Sequence, residues 1–183
     1  MGVLPDRIDG EGMLLRCWRV DEADAQATAL AESAEHLRPW MAFMNEPRPS
    51  IAARKQMLAR WERERLAGGD AVYGVFIHDA IAGGCGLHRR LGPEGLEIGY
   101  WVHPSFTGRG VATRAVRLLT EAAFSIPGIT HVEIHHDKAN TRSAGVPRKL
   151  GFRFVGEEPD EPDAPAEVGI ECRWRLKRPS VSP

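Results

Sequence analysis

Glu97-Ile98-Gly99-Tyr100-Trp101-Val102-His103-Pro104-Ser105-Phe106-Thr107-Gly108-Arg109-Gly110-Val111-Ala112-Thr113 runs from a strand through a glycine turn into a helix. Leu96 to Val102 is rich in β-branched and aromatic residues, which predicts a strand. From Val111 to Phe124, Ala112, Ala115, Val116, Leu119, Ala122 and Ala123 recur at helical spacing and predict one apolar face. Glycines at 108 and 110 let successive N–H groups turn toward one point. The helix behind them adds its unpaired N–H groups and positive dipole end. Together these predict an anion site suited to a pyrophosphate. A plain helix-entry turn is the other reading of a glycine pair. The run has no Gly-Lys-Ser/Thr, so it is not a P-loop, and Thr113 rules out a G-x-G-x-x-G dinucleotide loop.

Outward from that junction, strands and helices alternate irregularly. On the N-terminal side, Met13 to Arg19 reads as a first strand, and Asp21 can cap a helix through about Glu35. His36 to Met41 is broken by Pro39 into a loop or short turn, and Ser50 caps a second helix to about Leu66. Val72–His78 and Ile81–His88 flank Asp79-Ala80 as a hairpin, with a further turn at Gly92-Pro93-Glu94-Gly95. On the C-terminal side come a strand from Thr130 to His136, a short helix from Arg142 to Leu150, and a strand from Phe152 to Gly156. Glu157 to Ala166 reads as an acidic, proline-rich loop, Val168 to Leu176 as the last strand, and the tail from Lys177 as frayed. The order predicts an α/β (α+β) domain with a mixed sheet and helices on both faces.

The bulk numbers fit that picture. A chain of 183 residues is long enough for one well-packed domain and short for two. With a net charge of -1 and no polybasic run, there is no field to hold nucleic acid or an acidic membrane. No apolar run is long enough to span a bilayer, and the N-terminus lacks a signal-peptide layout. Cys17, Cys85 and Cys172 are odd in number and widely spaced, which predicts reduced thiols in a cytoplasmic protein.

Three motifs in register carry a family resemblance. Thr107-Gly108-Arg109-Gly110-Val111-Ala112 resembles the [Gln/Arg]-x-x-Gly-x-[Gly/Ala] motif of the GNAT superfamily of N-acetyltransferases, with Thr107 in place of Gln or Arg. Asn140-Thr141-Arg142-Ser143 followed by Lys149-Leu150-Gly151-Phe152 is similar to that family's Asn-x-x-Ser and Lys-Leu-Gly-Phe signature. Gly99-Tyr100-Trp101-Val102-His103-Pro104, with Leu37-Arg38-Pro39-Trp40, resembles the Rim-type branch, which includes the ribosomal-protein N-terminal acetyltransferases. The resemblance runs from about Leu14 to Leu176 within a single domain, residues 1–183. It implies a mostly antiparallel sheet splayed in the middle, acetyl-CoA as acetyl donor, no metal, and a primary amine as acceptor. A protein N-terminal α-amine leads. A small-molecule amine, another acyl donor and a non-catalytic CoA-binding module remain open, and such folds also pair as homodimers.

By the same resemblance, Trp101, Val102 and His103 lie along the pantetheine arm. Gly108, Arg109, Gly110, Val111, Ala112 and Thr113 hold the pyrophosphate, and Asn140 meets the cofactor where the strands part. Glu97 stands where some members carry a general base; the alternative is a solvated residue of an alternating strand. Glu171 is the second candidate base. Ser143 would protonate the departing thiolate, and an N-cap explains it equally well. Family members often use a tyrosine for that purpose, but neither tyrosine, Tyr73 or Tyr100, is expected near this helix. His135 and His136 are adjacent on a strand, so they face opposite sides and cannot chelate one ion.

Overall fold

A computed structural model describes residues 2–10 and 12–179. Among the described residues, eight strands form one sheet in the order β1-β2-β3-β4-β5-β6-β8-β7. Their ranges are β1 Arg7–Gly10, β2 Met13–Cys17, β3 Ala71–Ile77, β4 Ala80–His88, β5 Gly95–Val102, β6 His131–Asp137, β7 Arg153–Pro159 and β8 Ile170–Lys177. Only β5 and β6 run parallel; every other neighbouring pair is antiparallel. A parallel pair needs a crossover, here the helix α4 (Val111–Ser125). The other helices are α1 (Ala23–Glu32), α2 (Ala34–Leu37), α3 (Ile51–Leu66) and α5 (Thr141–Lys149).

Alternation along the strands sends side chains to two cores. Val111, Ala115, Val116, Leu119 and Ala123 of α4 pack with Leu15, Tyr73, Leu87, Leu96, Ile98, Val132 and Ile134 on one face. Leu119 is fully buried there, and its truncation to Ala would cost about 2–5 kcal/mol. On the opposite face Leu58, Ile51, Met57 and Trp61 of α3 pack with Trp18, Phe76 and Val72. Helices therefore cover both faces, as expected.

Several boundaries differ from the sequence expectation. Asp21 does not cap a helix: Val20–Glu22 is a 3₁₀ turn whose Glu22 carboxylate accepts the Arg19 N–H at 2.8 Å, and α1 starts after it. Ala34–Leu37 forms the short helix α2 within the segment read as helix then loop. The strand β1 was not expected; it pairs with β2 through Arg7↔Arg16 to Gly10↔Met13. β7 continues to Pro159, so Glu157 and Glu158 belong to a strand and not to the acidic loop. Lys177 is paired with His131, and Arg178 N–H bonds Thr130 O at 2.7 Å, so the chain is ordered past the point read as frayed. Ser50 does cap α3, accepting the Ala53 N–H at 3.2 Å. No helix among the described residues is long and apolar enough to cross a membrane.

Candidate active site

The centre of the molecule is a split in the sheet. β5 and β6 pair only through Gly95↔His131, Leu96↔Val132 and Glu97↔Glu133. Beyond that point β5 stays with β4 as far as Val102, while β6 stays with β8 as far as Asp137. Each strand follows its other neighbour, and the sheet's twist opens the gap. The His103 N–H bonds Ala82 O on β4 at 2.9 Å. By alternation Trp101 also turns its backbone to β4, while Ile98, Tyr100 and Val102 turn theirs to the gap. Of the expected trio, Val102 alone offers main-chain groups there.

The glycine turn stands at the end of β5. Gly108 and Gly110 have φ of +74° and +71°, left-handed values that favour glycine, and a Cβ at either would meet nothing within 4 Å. Gly110 is the N-cap of α4 and no side chain caps that helix, so the amides of Val111, Ala112 and Thr113 are unclaimed by a cap. Thr107, in the motif's variable first place, spends its hydroxyl on Pro104 O at 2.9 Å. Arg109 is exposed, with its guanidinium 5.6 Å from the centre of the Phe106 ring. His103 accepts the Ser105 N–H at Nδ1, so its Nε2 carries the proton toward Glu32, 3.1 Å away. That imidazole pins the turn to α1.

On the face opposite α4 lies a cleft of about 1030 Å³ that reaches Gly99, Tyr100, Asn140 and Ser143 at the split. Trp40, Met41, Phe43, Met44 and Trp101 give it an apolar wall, and Asp160, Glu161, Glu167 and Glu171 an acidic one. The Trp101 indole lies against Gly84, where a Cβ would come within 2.4 Å of its Nε1, so that strand position requires glycine. Glu157 and Glu158 do not line the cleft; they pair with Lys138 and Arg173.

Charged side chains tile this face across the split. Glu97 lines the cleft and receives a 3.2 Å hydrogen bond from the exposed Arg90. Its partner across β6, Glu133, is 2% exposed and bound by Arg175 and by His135 Nε2 at 2.6 Å. Burial opposes ionisation of Glu133, but those two hydrogen bonds outweigh it and hold the carboxyl below its usual range. The other His135 nitrogen lies 3.2 Å from Glu171 Oε1. His136 faces the other way: it accepts the Trp174 Nε1–H at Nε2 and donates from Nδ1 to Asp137 O. The two histidines diverge, and no cluster able to hold a metal ion occurs among the described residues.

Asn140 and Ser143 sit where the sequence spacing suggests, but their roles divide differently. Asn140 is the N-cap of α5, accepting the Ser143 N–H at 3.1 Å; Ser143 is the third residue of the helix and does not cap it. The expectation that no tyrosine approaches this helix is overturned. The Tyr100 hydroxyl reaches across the split to Ser143 Oγ at 2.9 Å and Ser143 O at 3.1 Å. Burial pushes that phenol up to about 12, against the opposing pull of its bond to Ser143. Forty-three positions separate the pair, so only strand alternation through the split could have signalled it.

A split sheet with uncapped amides at one end of β5 and an acidic, aromatic cleft behind it suits a transferase that works on a coenzyme A thioester. The chain belongs to the acetyltransferase (GNAT) domain family, whose model matches residues 13–153, and it takes its acetyl group from acetyl-CoA. It is 26% identical over 152 residues, 82% of either chain, to the "Putative ribosomal N-acetyltransferase YdaF" of Bacillus subtilis (strain 168). It is 32% identical over 71 residues, 39% of this chain and 36% of the other, to the spermidine N(1)-acetyltransferase of Escherichia coli (strain K12). The fold is that of the RimL ribosomal L7/L12 alpha-N-protein acetyltransferase in complex with coenzyme A, with a TM-score of 0.83 and 16% identity over 96% of this chain and 98% of that one.

Proposed function

We propose that residues 1–183 form one N-acetyltransferase domain, with its core over about 14–176, that acetylates the N-terminal α-amine of a protein in the cytoplasm. The observation that carries it is the split: the uncapped amides at Gly110–Thr113 adjoin its edge, and the cleft opens onto it from the other face. A thioester laid along β5 and an amine in the cleft meet only there. The glycine turn Gly108–Gly110 with the unclaimed amides of Val111, Ala112 and Thr113 suits a pyrophosphate, the gap-facing backbone of Val102 suits the amides of a pantetheine arm, and Asn140 lies beside the gap.

Bound acetyl-CoA supplies an activated acetyl group on a thiol leaving group. The protein orients it, excludes water and moves two protons. Glu97, in the last β5–β6 pair, lines the cleft and takes the amine proton through a water. Ser143 Oγ, on the far side of the gap, gives a proton to the thiolate sulfur. An α-amine with a pKa near 8 leaves that base a modest task. The relative of 82% coverage named for ribosomal N-acetylation supports a protein acceptor. The acidic wall, with the local similarity to a spermidine acetyltransferase, supports a polyamine as the second reading. Thiol release measured over N-terminal peptides and small amines decides between them. Efficient turnover of spermidine with none of any peptide would remove the first. Pairing of two copies through the edge strand β7, where Phe154 and Val155 are exposed, is the matching proposal for assembly. Light scattering of Phe154→Lys beside wild type tests it, and a monomeric wild type refutes it.

A further inference from the structure

Pro147 stands inside α5, four residues after Ser143. A proline has no N–H, so the Ser143 carbonyl loses its helical donor, and the ring crowds it as well. A carbonyl in a partly buried place seldom stays unpaired. Here the missing donor comes from another element: the Tyr100 hydroxyl lies 3.1 Å from Ser143 O. A phenol has one proton. Given to the carbonyl, it leaves the phenol oxygen to accept the Ser143 Oγ–H at 2.9 Å. Asn140 Oδ1 takes the Ser143 N–H at 3.1 Å. All three polar groups of Ser143 are therefore held, two of them from the far side of the split.

We propose that Tyr100 and Pro147 are positioning residues for Ser143. The proline withholds the helical hydrogen bond, the phenol docks in its place, and the docked phenol fixes the serine rotamer at the mouth of the gap. The inference rests on the acetyl-transfer reading, in which the C–S bond breaks with its electron pair on sulfur. The Ser143 hydroxyl then turns its O–H from the phenol oxygen to the sulfur, its proton forms the S–H bond, and Ser143 regains a proton from solvent. Tyr100 keeps its own proton throughout.

The test is a double-mutant cycle of Tyr100→Phe and Pro147→Ala, read in kcat, acetyl-CoA KM, pH profile and Tm. Tyr100→Phe lowers kcat on the order of tenfold to a hundredfold through misplacement of Ser143, with acetyl-CoA KM unchanged and the pH profile keeping its shape. Pro147→Ala restores an N–H that competes for the Ser143 carbonyl, so it raises Tm while lowering kcat. In the Tyr100→Phe background the same change costs no further kcat and raises Tm by more, because it then fills an empty carbonyl. Unchanged kcat in either single variant, additive losses, or a shifted alkaline limb in Tyr100→Phe would overturn the proposal. Full kcat in Ser143→Ala would remove the donor assignment itself. The Tm coupling is read without substrate, so it separates that failure from the absence of the Tyr100 bond.

Discussion

Glu97 and Ser143 approach the split from opposite sides, and each makes a prediction that depends on what holds it. Loss of a general base costs on the order of 10²–10⁴-fold, so the role proposed for Glu97 predicts that Glu97→Gln lowers kcat by that order with acetyl-CoA affinity intact. Raising the pH recovers part of the loss, because the free amine fraction grows without help from the protein. A kcat near that of wild type at neutral pH would pass the role to Glu171, which also lines the cleft and pairs with His135. His136 makes a prediction about stability. Burial holds its ring below the usual histidine range, opposed by the bond to the Asp137 carbonyl, and Trp174 already donates to Nε2. The unfolded ring titrates near 6.5, so its contribution is complete above that pH and lost as the pH falls through the lower folded value. Tm therefore drops on acidification below about 6.5, and His136→Gln, which still offers Trp174 an acceptor, makes the drop smaller. Equal pH dependence in both proteins would refute this. The Asn140–Ser143 spacing was legible in the sequence as the start of a helix, but the cap read at Ser143 belongs to Asn140. Tyr100 was not, since its partner is set by which strands stay paired.

At the scale of elements, the glycine turn was legible because a left-handed N-cap followed by an amphipathic helix is a local pattern. The Gly110 φ of +71° and the absence of a capping side chain agree with it. Acetyl-CoA should raise the Tm of the wild type, and Gly110→Glu should abolish that rise by setting a negative charge at the proposed pyrophosphate site. Asn tolerates the left-handed conformation, so Gly110→Asn separates backbone strain from charge and should keep much of the shift. An undiminished shift in Gly110→Glu would place the anion elsewhere. The elements that escaped reading are those fixed by distant partners. β1 is four residues at a sheet edge, recognisable only by its pairing with β2. Glu157 and Glu158 look like loop residues until β8 supplies a ladder and Lys138 and Arg173 neutralise them. Asp137 ends β6 and accepts N–H groups from Ala139, Val168, Gly169 and Ile170. Burial opposes its ionisation, yet these bonds prevail and keep the carboxyl below its usual range. Asp137→Ala should cost about 1.5–3 kcal/mol, the usual worth of hydrogen bonds to a charged group, and speed proteolysis between residues 160 and 169.

At the scale of the whole molecule, the sheet separates two chemical environments that communicate through one opening. The α4 face carries the apolar core and, at its edge, the uncapped amides. The α3 face carries the charged lattice and the cleft. A donor and an acceptor that use different faces can be perturbed independently, which makes the acidic wall testable by itself. Asp160, Glu161 and Glu167 line the cleft without belonging to the core, and they are far in the chain from Gly108 and Gly110. Glu167 also accepts the N–H groups of Asp163 and Ala164 at 2.7 and 2.9 Å, so its replacement by Gln keeps an acceptor for that turn. On the proposed reading their summed field should raise the local concentration of a cationic amine, and added salt should screen it within about 8–10 Å. Replacing the three by Asn, Gln and Gln should raise the acceptor KM while leaving acetyl-CoA affinity and Tm near their wild-type values. The same triple change should remove most of the salt dependence of acceptor KM, which a merely loosened loop would not do. If acceptor KM and its salt dependence are unaltered, the acidic wall is ordinary surface, and recognition falls to the aromatic side of the cleft at Trp40, Phe43 and Trp101.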